Sequence, residues 1–139
     1  MRVLDTNVLS ELTRASPHPA VASWVRRQPA SSLFTTTVTQ AEMMYGVAIL
    51  PAGKRRDDLL IAVRGLFEVD LAGRVLPFDS DAAGHYADIA AQRRANGKPI
   101  SQFDAQIAAI SRSRGSGVAT RNVSDFADCG IDVVDPWSA

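Results

Sequence analysis

Cysteine and histidine are nearly absent from this chain of 139 residues. The single cysteine, Cys129, has no partner for an internal disulfide, and no cysteine or histidine spacing typical of a zinc site occurs. A reducing compartment, the cytoplasm, is therefore the location that we expect. The two histidines, His18 and His85, lie outside the acidic motifs described below, which argues against acid–base catalysis by a histidine pair.

A long apolar segment is also missing. The opening residues, MRVLDTNVLSEL, include an early aspartate and no apolar run with a cleavage site, so we expect neither a signal peptide nor a membrane span. Hydrophobic residues make up 46% and charged residues 22% of the chain, which is typical of a folded protein and not of disorder. A chain of this length builds one core, and we predict a single domain over residues 1–139.

An excess of charge of one sign is absent, because the chain has 15 basic and 15 acidic residues. This balance argues against the strongly basic surface of a protein that coats nucleic acid. If four carboxylates are gathered in one metal site, however, the rest of the chain carries a net charge of +4. Thirteen of the 15 basic residues are arginine, whose guanidinium can bind phosphate through two hydrogen bonds.

Short apolar segments alternate with segments of helical periodicity along the chain. The predicted strands cover residues 2–4, 33–37, 75–78, 118–120 and 131–134. The predicted helices begin after Asn7 and then cover residues 17–28, 40–50, 54–67, 81–96 and 102–114. This alternation predicts an α/β fold with a mainly parallel central sheet.

Acidic and amide side chains follow several of the predicted strands. Asp5 ends the first strand, and Asn122 and Asp125 follow the fourth. Glu42 and Asp104 are predicted in the first turns of two helices. Because loops and helix starts converge beyond the carboxyl ends of parallel strands, we expect these groups to share one edge of the sheet.

Metal-assisted phosphoryl transfer is the chemistry that this pattern favours. Mg²⁺ is a hard cation that is commonly held by one or two carboxylates, water and phosphate oxygens, without histidine or cysteine. Such an ion activates water and neutralises charge that develops on a phosphodiester. The sequence therefore predicts a magnesium-dependent hydrolase.

Helix capping is the competing explanation for these acids. Thr39-x-x-Glu42 and Ser101-x-x-Asp104 both match the capping pattern, in which the acid stabilises the helix start. Asp5 could equally be a turn residue, and Asp125 could cap a short turn. Capping explains each acid singly, whereas only a shared site explains their joint placement.

Four segments of the chain carry a resemblance to a known family. They are VLDTNVLSEL, TTTVTQAEMMYGV, ISQFDAQIAAI and VATRNVSDFADCGIDVVDPW. In this order and spacing the chain resembles the PIN-domain ribonucleases, specifically the VapC toxins of toxin–antitoxin pairs. The resemblance implies a three-layer α/β/α fold, Mg²⁺ or Mn²⁺ as cofactor, endonucleolytic cleavage of RNA, a homodimer and inhibition by a small cognate antitoxin.

The resemblance also implies roles for single residues. Asp5 and Asp104 match the family's metal-binding aspartates, and Glu42 matches its helical acid. Many relatives have an aspartate at the place of Asn122, and the nearest later acid is Asp125. The fourth catalytic position therefore stays open between Asn122 and Asp125.

Further residues of the motifs are expected to support the site. Thr6, Asn7 and Thr120 resemble the polar residues that orient the carboxylates, although Thr6 and Thr120 could be ordinary strand-end residues. Three arginines are predicted near the site as RNA contacts, with a solvated surface as the equal alternative: Arg112, Arg114 and Arg121. The basic run Lys54-Arg55-Arg56 is more typical of a solvated helix face than of a binding patch.

Partner surfaces are suggested by two apolar groups. The helical stripe Val21, Trp24 and Val25 could be extended by a helix of the antitoxin. We expect the antitoxin to insert an arginine among the acidic residues. The segment Met43-Met44-Tyr45 could belong either to a dimer face or to the core.

Three other functions compete with the nuclease. A phosphoacceptor signalling domain needs a lysine after a late strand, but Lys54 and Lys98 are the only lysines and neither is predicted there. A phosphatase of the haloacid dehalogenase type needs a second aspartate where this chain has Asn7. A catalytically silent module that binds RNA or a partner is the third alternative.

Overall fold

The computed structural model describes all residues from Met1 to Ala139 and contains one five-stranded sheet. All four strand pairings are parallel, and the strand order is β3-β2-β1-β4-β5. The strands are β1 (Arg2–Leu4), β2 (Leu33–Thr36), β3 (Val75–Leu76), β4 (Gly117–Ala119) and β5 (Val133–Val134). The central strand is therefore β1, with β2 and β4 on either side of it.

Six α-helices connect and cover these strands. They are α1 (Thr6–Leu12), α2 (Pro19–Arg27), α3 (Thr37–Ala48), α4 (Lys54–Gly65), α5 (Ser80–Ala95) and α6 (Gln102–Ser113). Short 3₁₀ turns occur at Ala30–Ser32 and Val123–Phe126, and a π-helical segment, Leu66–Asp70, follows α4. None of the helices is both long enough and apolar enough to cross a membrane.

The sheet is covered on both faces, and successive side chains of a strand point to opposite sides and so enter different core clusters. Val3 packs in a core cluster with Ile107 of α6, whereas its neighbour Leu4 packs in a second cluster with Leu9 and Trp24. The three-layer α/β/α architecture with a parallel sheet is thus confirmed. Strand β5 is also parallel, so no hairpin closes the chain.

The start of α3 differs from the prediction. The hydroxyl of Thr36 accepts a hydrogen bond from the Thr39 backbone N–H at 3.0 Å, so Thr36 is the N-cap and the helix begins at Thr37. Thr39 is therefore not a cap, and Glu42 lies in the second turn, where capping does not explain its carboxylate. The prediction that Glu42 lies in the first turn was wrong because Thr36 and Thr39 both offer a capping hydroxyl, and the structure uses the earlier one.

The other helix boundaries follow local capping closely. Ser101 caps α6 as predicted, accepting from the Asp104 backbone N–H at 3.2 Å. Helix α5 begins at Ser80, one residue before the predicted start at residue 81, and its cap Asp79 accepts from the Ala82 backbone N–H at 3.0 Å. These starts leave the Asp104 side chain in the first turn of α6.

Candidate active site

Asp5 lies at the centre of the polar edge of the sheet. It directly follows β1, is only 4% exposed, and caps α1. Its Oδ1 accepts a hydrogen bond from the Thr6 backbone N–H at 2.8 Å. Its Oδ2 accepts from the Thr120 hydroxyl at 2.8 Å and from the Asn7 side-chain amide at 3.2 Å. Three donors thus fix one buried carboxylate.

A second layer of hydrogen bonds holds these donors. The Asn7 amide also donates to the Thr120 hydroxyl oxygen at 3.1 Å, and its carbonyl oxygen accepts from the Arg121 backbone N–H at 3.2 Å. The Asn122 backbone N–H donates to the same hydroxyl oxygen of Thr120 at 3.0 Å. Asn7 and Thr120 both donate to the Asp5 carboxylate, so Thr120 is more than a strand-end residue, and the functional role given to the two residues stays a prediction.

Glu42 reaches the same edge from α3. The Thr6 hydroxyl donates to Glu42 Oε1 at 3.0 Å, and the Thr6 and Thr39 hydroxyl oxygens lie 3.1 Å apart. Thr6 therefore links the helix after β1 to the helix after β2 and contacts a carboxylate, and its role as a support of the site stays a prediction. Burial raises the pKa of Glu42, the Thr6 hydrogen bond opposes this rise, and the negative charge of Asp104 adds to it.

The ionisation of Asp5 shows that the carboxylates interact. Burial raises the pKa of Asp5 from 3.8 to about 6. The hydrogen bonds from Thr120 and Thr6 oppose this rise, and the negative charges of Asp104 and Glu42 add to it. The protein therefore keeps a cluster of carboxyl groups whose charged forms are disfavoured in the absence of a cation.

Asp104 and its neighbours complete the acidic group. Burial raises the pKa of Asp104, a Ser101 hydrogen bond lowers it, and the charge of Asp125 raises it. Asp125 lies in the exposed 3₁₀ turn close enough for this effect, but it does not line the central cavity. Asn122 does line that cavity. The catalytic role given to Asp125 stays a prediction, as does the identity of the fourth catalytic residue.

A cavity of about 450 Å³, called the acidic cavity below, brings these residues together. Its lining comprises Asp5, Thr6, Asn7, Ser10, Glu11, Arg14, Glu42, Asp104, Arg121, Asn122 and Trp137. The single apolar side chain in this lining is that of Trp137. The polar composition suits a charged ligand better than an apolar one.

Four residues of this lining were missed by sequence reasoning. Ser10 follows Thr6 by four positions and Glu11 follows Asn7 by four, so helical spacing in α1 was a usable signal for these two, whereas Arg14 lies just beyond the end of α1. The largely buried Glu11 accepts from the His18 backbone N–H at 3.0 Å and pairs with Arg14 at 3.3 Å. Trp137 carried no comparable signal.

The three predicted RNA-binding arginines separate into two places. Arg121 lines the acidic cavity, with its guanidinium 5.1 Å from the centre of the Trp137 ring. Arg112 and Arg114 lie at the C-terminal end of α6, whereas Asp104 lies in its first turn. Their predicted position near the site was therefore wrong. Arg114 instead pairs with Asp79 at 3.6 Å, and Arg112 borders a separate cavity at the start of β4.

The methionine–tyrosine segment beside Glu42 is divided between core and surface. Met43 is buried, whereas the side chains of Met44 and Tyr45 are 56% and 67% exposed. Only the latter two are therefore free to join a dimer face, and the homodimer stays a prediction.

The side chains around Asp5 offer oxygen donors for a metal ion. No three acidic, histidine or cysteine side chains are arranged to hold one ion directly. The donor set around Asp5 is nevertheless entirely oxygen, and each carboxylate has about four acceptor positions. This chemistry fits Mg²⁺, which retains several waters and uses few direct protein ligands.

Comparison with known proteins agrees with this fold. A family model described as PIN domain matches residues 2–130. The chain is 46% identical to the VapC ribonuclease Y4jK of Sinorhizobium fredii, over 99% of this chain and 98% of that protein. It is 35% identical to the toxin FitB of Neisseria gonorrhoeae, over 99% of both.

A solved structure extends the comparison to three dimensions. The crystal structure of FitAcB from Neisseria gonorrhoeae superposes with a TM-score of 0.90 at 34% identity, covering 100% of both chains. The match spans the whole length, so the acidic cavity lies inside the shared fold. The chain therefore belongs to the PIN domain family and, within it, to the VapC toxins that its motifs resemble.

Proposed function

We propose that this protein is a Mg²⁺-dependent endoribonuclease that acts as the toxin of a toxin–antitoxin pair, with Mn²⁺ as an alternative ion. The observation that carries the proposal is the meeting of Asp5, Glu42 and Asp104 in the acidic cavity, from three separate segments. A relative of 46% identity over 99% of the chain is named a VapC ribonuclease, which supports RNA as the substrate.

Asp5 and Asp104 would hold the ion, with Glu42 binding it through water. The raised pKa values of all three carboxylates, each due first to burial, support this role because a cation would offset the charge that burial disfavours. When bound, the ion would activate water for attack on the phosphodiester and neutralise the charge that develops there.

The surrounding residues would keep this arrangement fixed during the reaction. Thr120 and Asn7 hold Oδ2 of Asp5, and Thr6 holds Glu42. Carboxylates that are oriented before the substrate binds need no reorganisation in the transition state. These residues would thus orient the carboxylates, whose oxygen atoms would bind the ion.

The proposal is tested by incubating the purified protein with total RNA in Mg²⁺ and mapping the new ends. Cleavage should occur with Mg²⁺ or Mn²⁺, stop with EDTA, and be weak with Ca²⁺, which prefers longer bonds and looser geometry. Full activity of protein shown to be metal-free would refute the metal mechanism. No cleavage under any condition would favour the silent binding module.

An antitoxin partner and a homodimer are part of the same proposal, and so is a cytoplasmic location. The expected docking stripe on α2 needs correction, because Val21 and Trp24 are buried in the core. Val25 instead borders an apolar depression of about 420 Å³ that Leu12 and Leu66 also line. This depression is the better place for a helix of the antitoxin.

The phosphoacceptor alternative gains no support from the structure. Lys54 begins α4, and Lys98 lies between α5 and α6. Neither lysine lines the acidic cavity. A lysine beside the acceptor carboxylate is thus missing.

A further inference from the structure

A continuous series of depressions leads away from the acidic cavity. An adjoining cavity of about 300 Å³ shares Thr6, Ser10 and Glu42 with it and is also lined by Arg55. Arg55 and Arg14 in turn line a third depression of about 610 Å³ between α1 and α4. We call this third depression the basic cleft; its lining is Thr13, Arg14, Lys54, Arg55, Asp58, Leu59 and Ala62.

The cations of the basic cleft are incompletely neutralised. Lys54 pairs with Asp58 at 2.6 Å, and Arg14 pairs with Glu11 at 3.3 Å, but both basic side chains are largely exposed. Arg55 is exposed and forms no ion pair. The Lys54 pair is exposed at both ends and therefore weak in water, and Arg14 keeps an exposed guanidinium although its partner Glu11 is buried, so these cations remain available to an anionic ligand.

The stability of α4 does not explain the basic residues at its start. Lys54, Arg55 and Arg56 occupy its first turn, and no side chain caps the helix at Gly53. Positive charge at this end opposes the helix dipole. Asp57 in the same turn and the Lys54–Asp58 pair offset part of this cost, but Arg55 and Arg56 form no ion pair, so helix stability gives no reason for these two arginines.

A second basic group lies on the other side of the carboxylates. Arg121 follows β4, whereas Arg55 belongs to the helix that packs on α3, after β2. Because β2 and β4 flank β1 on opposite sides, Asp5 lies between the two arginines. The Trp137 ring beside Arg121 adds a flat surface on which a base can stack.

We propose that a single RNA strand crosses the acidic cavity from the Arg121–Trp137 side to the basic cleft, where Arg14 and Arg55 bind its phosphates. This inference rests on the proposed ribonuclease function and assigns the substrate path within it. Guanidinium groups bind phosphate strongly, and phosphate contacts position a nucleic acid without reading its sequence. The path thus explains how a chain of zero net charge holds a polyanion across a cluster of carboxylates.

The test measures RNA binding separately from cleavage. Binding of a fluorescently labelled single-stranded RNA oligonucleotide is followed by anisotropy in EDTA at several salt concentrations. For Arg14→Gln combined with Arg55→Gln we expect Kd to rise at least about tenfold through loss of charge-assisted bonds. The slope of log affinity against log salt should fall by about 1.4, at roughly 0.7 per lost phosphate contact.

A matched control is Arg64→Gln, which removes the same charge from an exposed position on the same helix. It should leave both Kd and the salt slope unchanged. Arg55→Gln alone repeats the test without disturbing the Glu11 pair and decides the outcome if the double variant does not fold. In Mg²⁺ the Arg55 variant should have a higher KM with little change in kcat. A phosphate contact far from the bond that is cut stabilises the bound substrate and the transition state equally.

The outcomes separate this proposal from the function on which it rests. Unchanged affinity and salt slope in the Arg55 variant, with a wild type that cuts RNA, would overturn the path and leave the ribonuclease intact. An equal loss of affinity in the Arg64 control would also overturn it, since the effect would then be one of net charge. Failure of the wild type to cut RNA would refute the ribonuclease itself, whatever the binding result.

Discussion

Thr120 donates its hydroxyl to Oδ2 of Asp5 at 2.8 Å, across 115 positions of the sequence. The two residues follow adjacent parallel strands, β1 and β4, and both are buried. A buried carboxylate is costly unless donors or a cation satisfy it. The pairing of β1 with β4 therefore places the Thr120 hydroxyl where it orients Asp5, the proposed central ligand of the ion.

Replacing Asp104 by asparagine should abolish cleavage without unfolding the protein. We expect activity to fall by at least about 10², since an ion is a large source of transition-state stabilisation. Without metal, the melting temperature should be unchanged or slightly higher, because one of the mutually repelling carboxylates is removed. RNA gel assays and melting curves in EDTA measure the two effects.

The control for this variant is Asp88→Asn on the exposed surface of α5. It should retain both activity and stability. Wild-type cleavage by the Asp104 variant would refute the role given to that residue.

The stability of the metal-free protein should fall as pH rises from about 4 to about 6. The pKa of Asp5 is about 6 in the folded protein against 3.8 for the ordinary group, so folding favours the protonated form. Its contribution to the free energy of unfolding is fully present at pH values below the pKa of the unfolded state. It is lost as pH rises through the pKa of the folded state, a change of about 3 kcal/mol. Urea titrations in EDTA across this range measure the loss.

Mg²⁺ supplies the comparison for the pH experiment. Saturating ion should reduce or reverse the loss, because a cation that binds the charged carboxylates stabilises the folded state increasingly as they ionise. Equal pH dependence with and without Mg²⁺ would show that Asp5 does not belong to a metal site.

Arg93 should be a major contributor to stability. Its buried guanidinium donates to the backbone carbonyl oxygens of Lys98 at 2.7 Å, Asp125 at 3.0 Å and Ala127 at 2.7 Å. Arg93→Met should lower the free energy of unfolding by roughly 3 kcal/mol, because these carbonyls lose charge-assisted hydrogen bonds. Urea unfolding, with the exposed Arg94→Met as control, measures the cost.

Co-expression with the product of the neighbouring small open reading frame should give a stable complex with suppressed nuclease activity. A partner arginine inserted among Asp5, Glu42 and Asp104 would pair with carboxylates and occupy the place that ion and phosphate need. Replacing that arginine by alanine should restore cleavage more than it weakens binding. Titration of both complexes with RNA and Mg²⁺ tests this, and a complex that cuts RNA as fast as the free protein would contradict inhibition by substitution.

Much of the local structure could be predicted from the sequence. The strand at residues 2–4, the Ser101 cap and the position of Asp104 follow from hydrogen bonding and periodicity within a few residues. Where two local choices were equivalent, as with Thr36 and Thr39 for the cap of α3, the prediction failed. Packing then decided that α3 begins at Thr37 and that Glu42 faces Thr6.

Only the tertiary structure decided which distant residues share the cavity. Arg114 is close to Asp104 in sequence but about 15 Å away along α6, at 1.5 Å per residue, whereas Thr120 and Asp5 are hydrogen-bonded across most of the chain. The sequence by itself determined the fold class and the acidic motifs, because helices, strands and caps depend on near neighbours. The strand order determined the neighbours of Asp5, because proximity between segments arises from pairing and packing that no local pattern encodes.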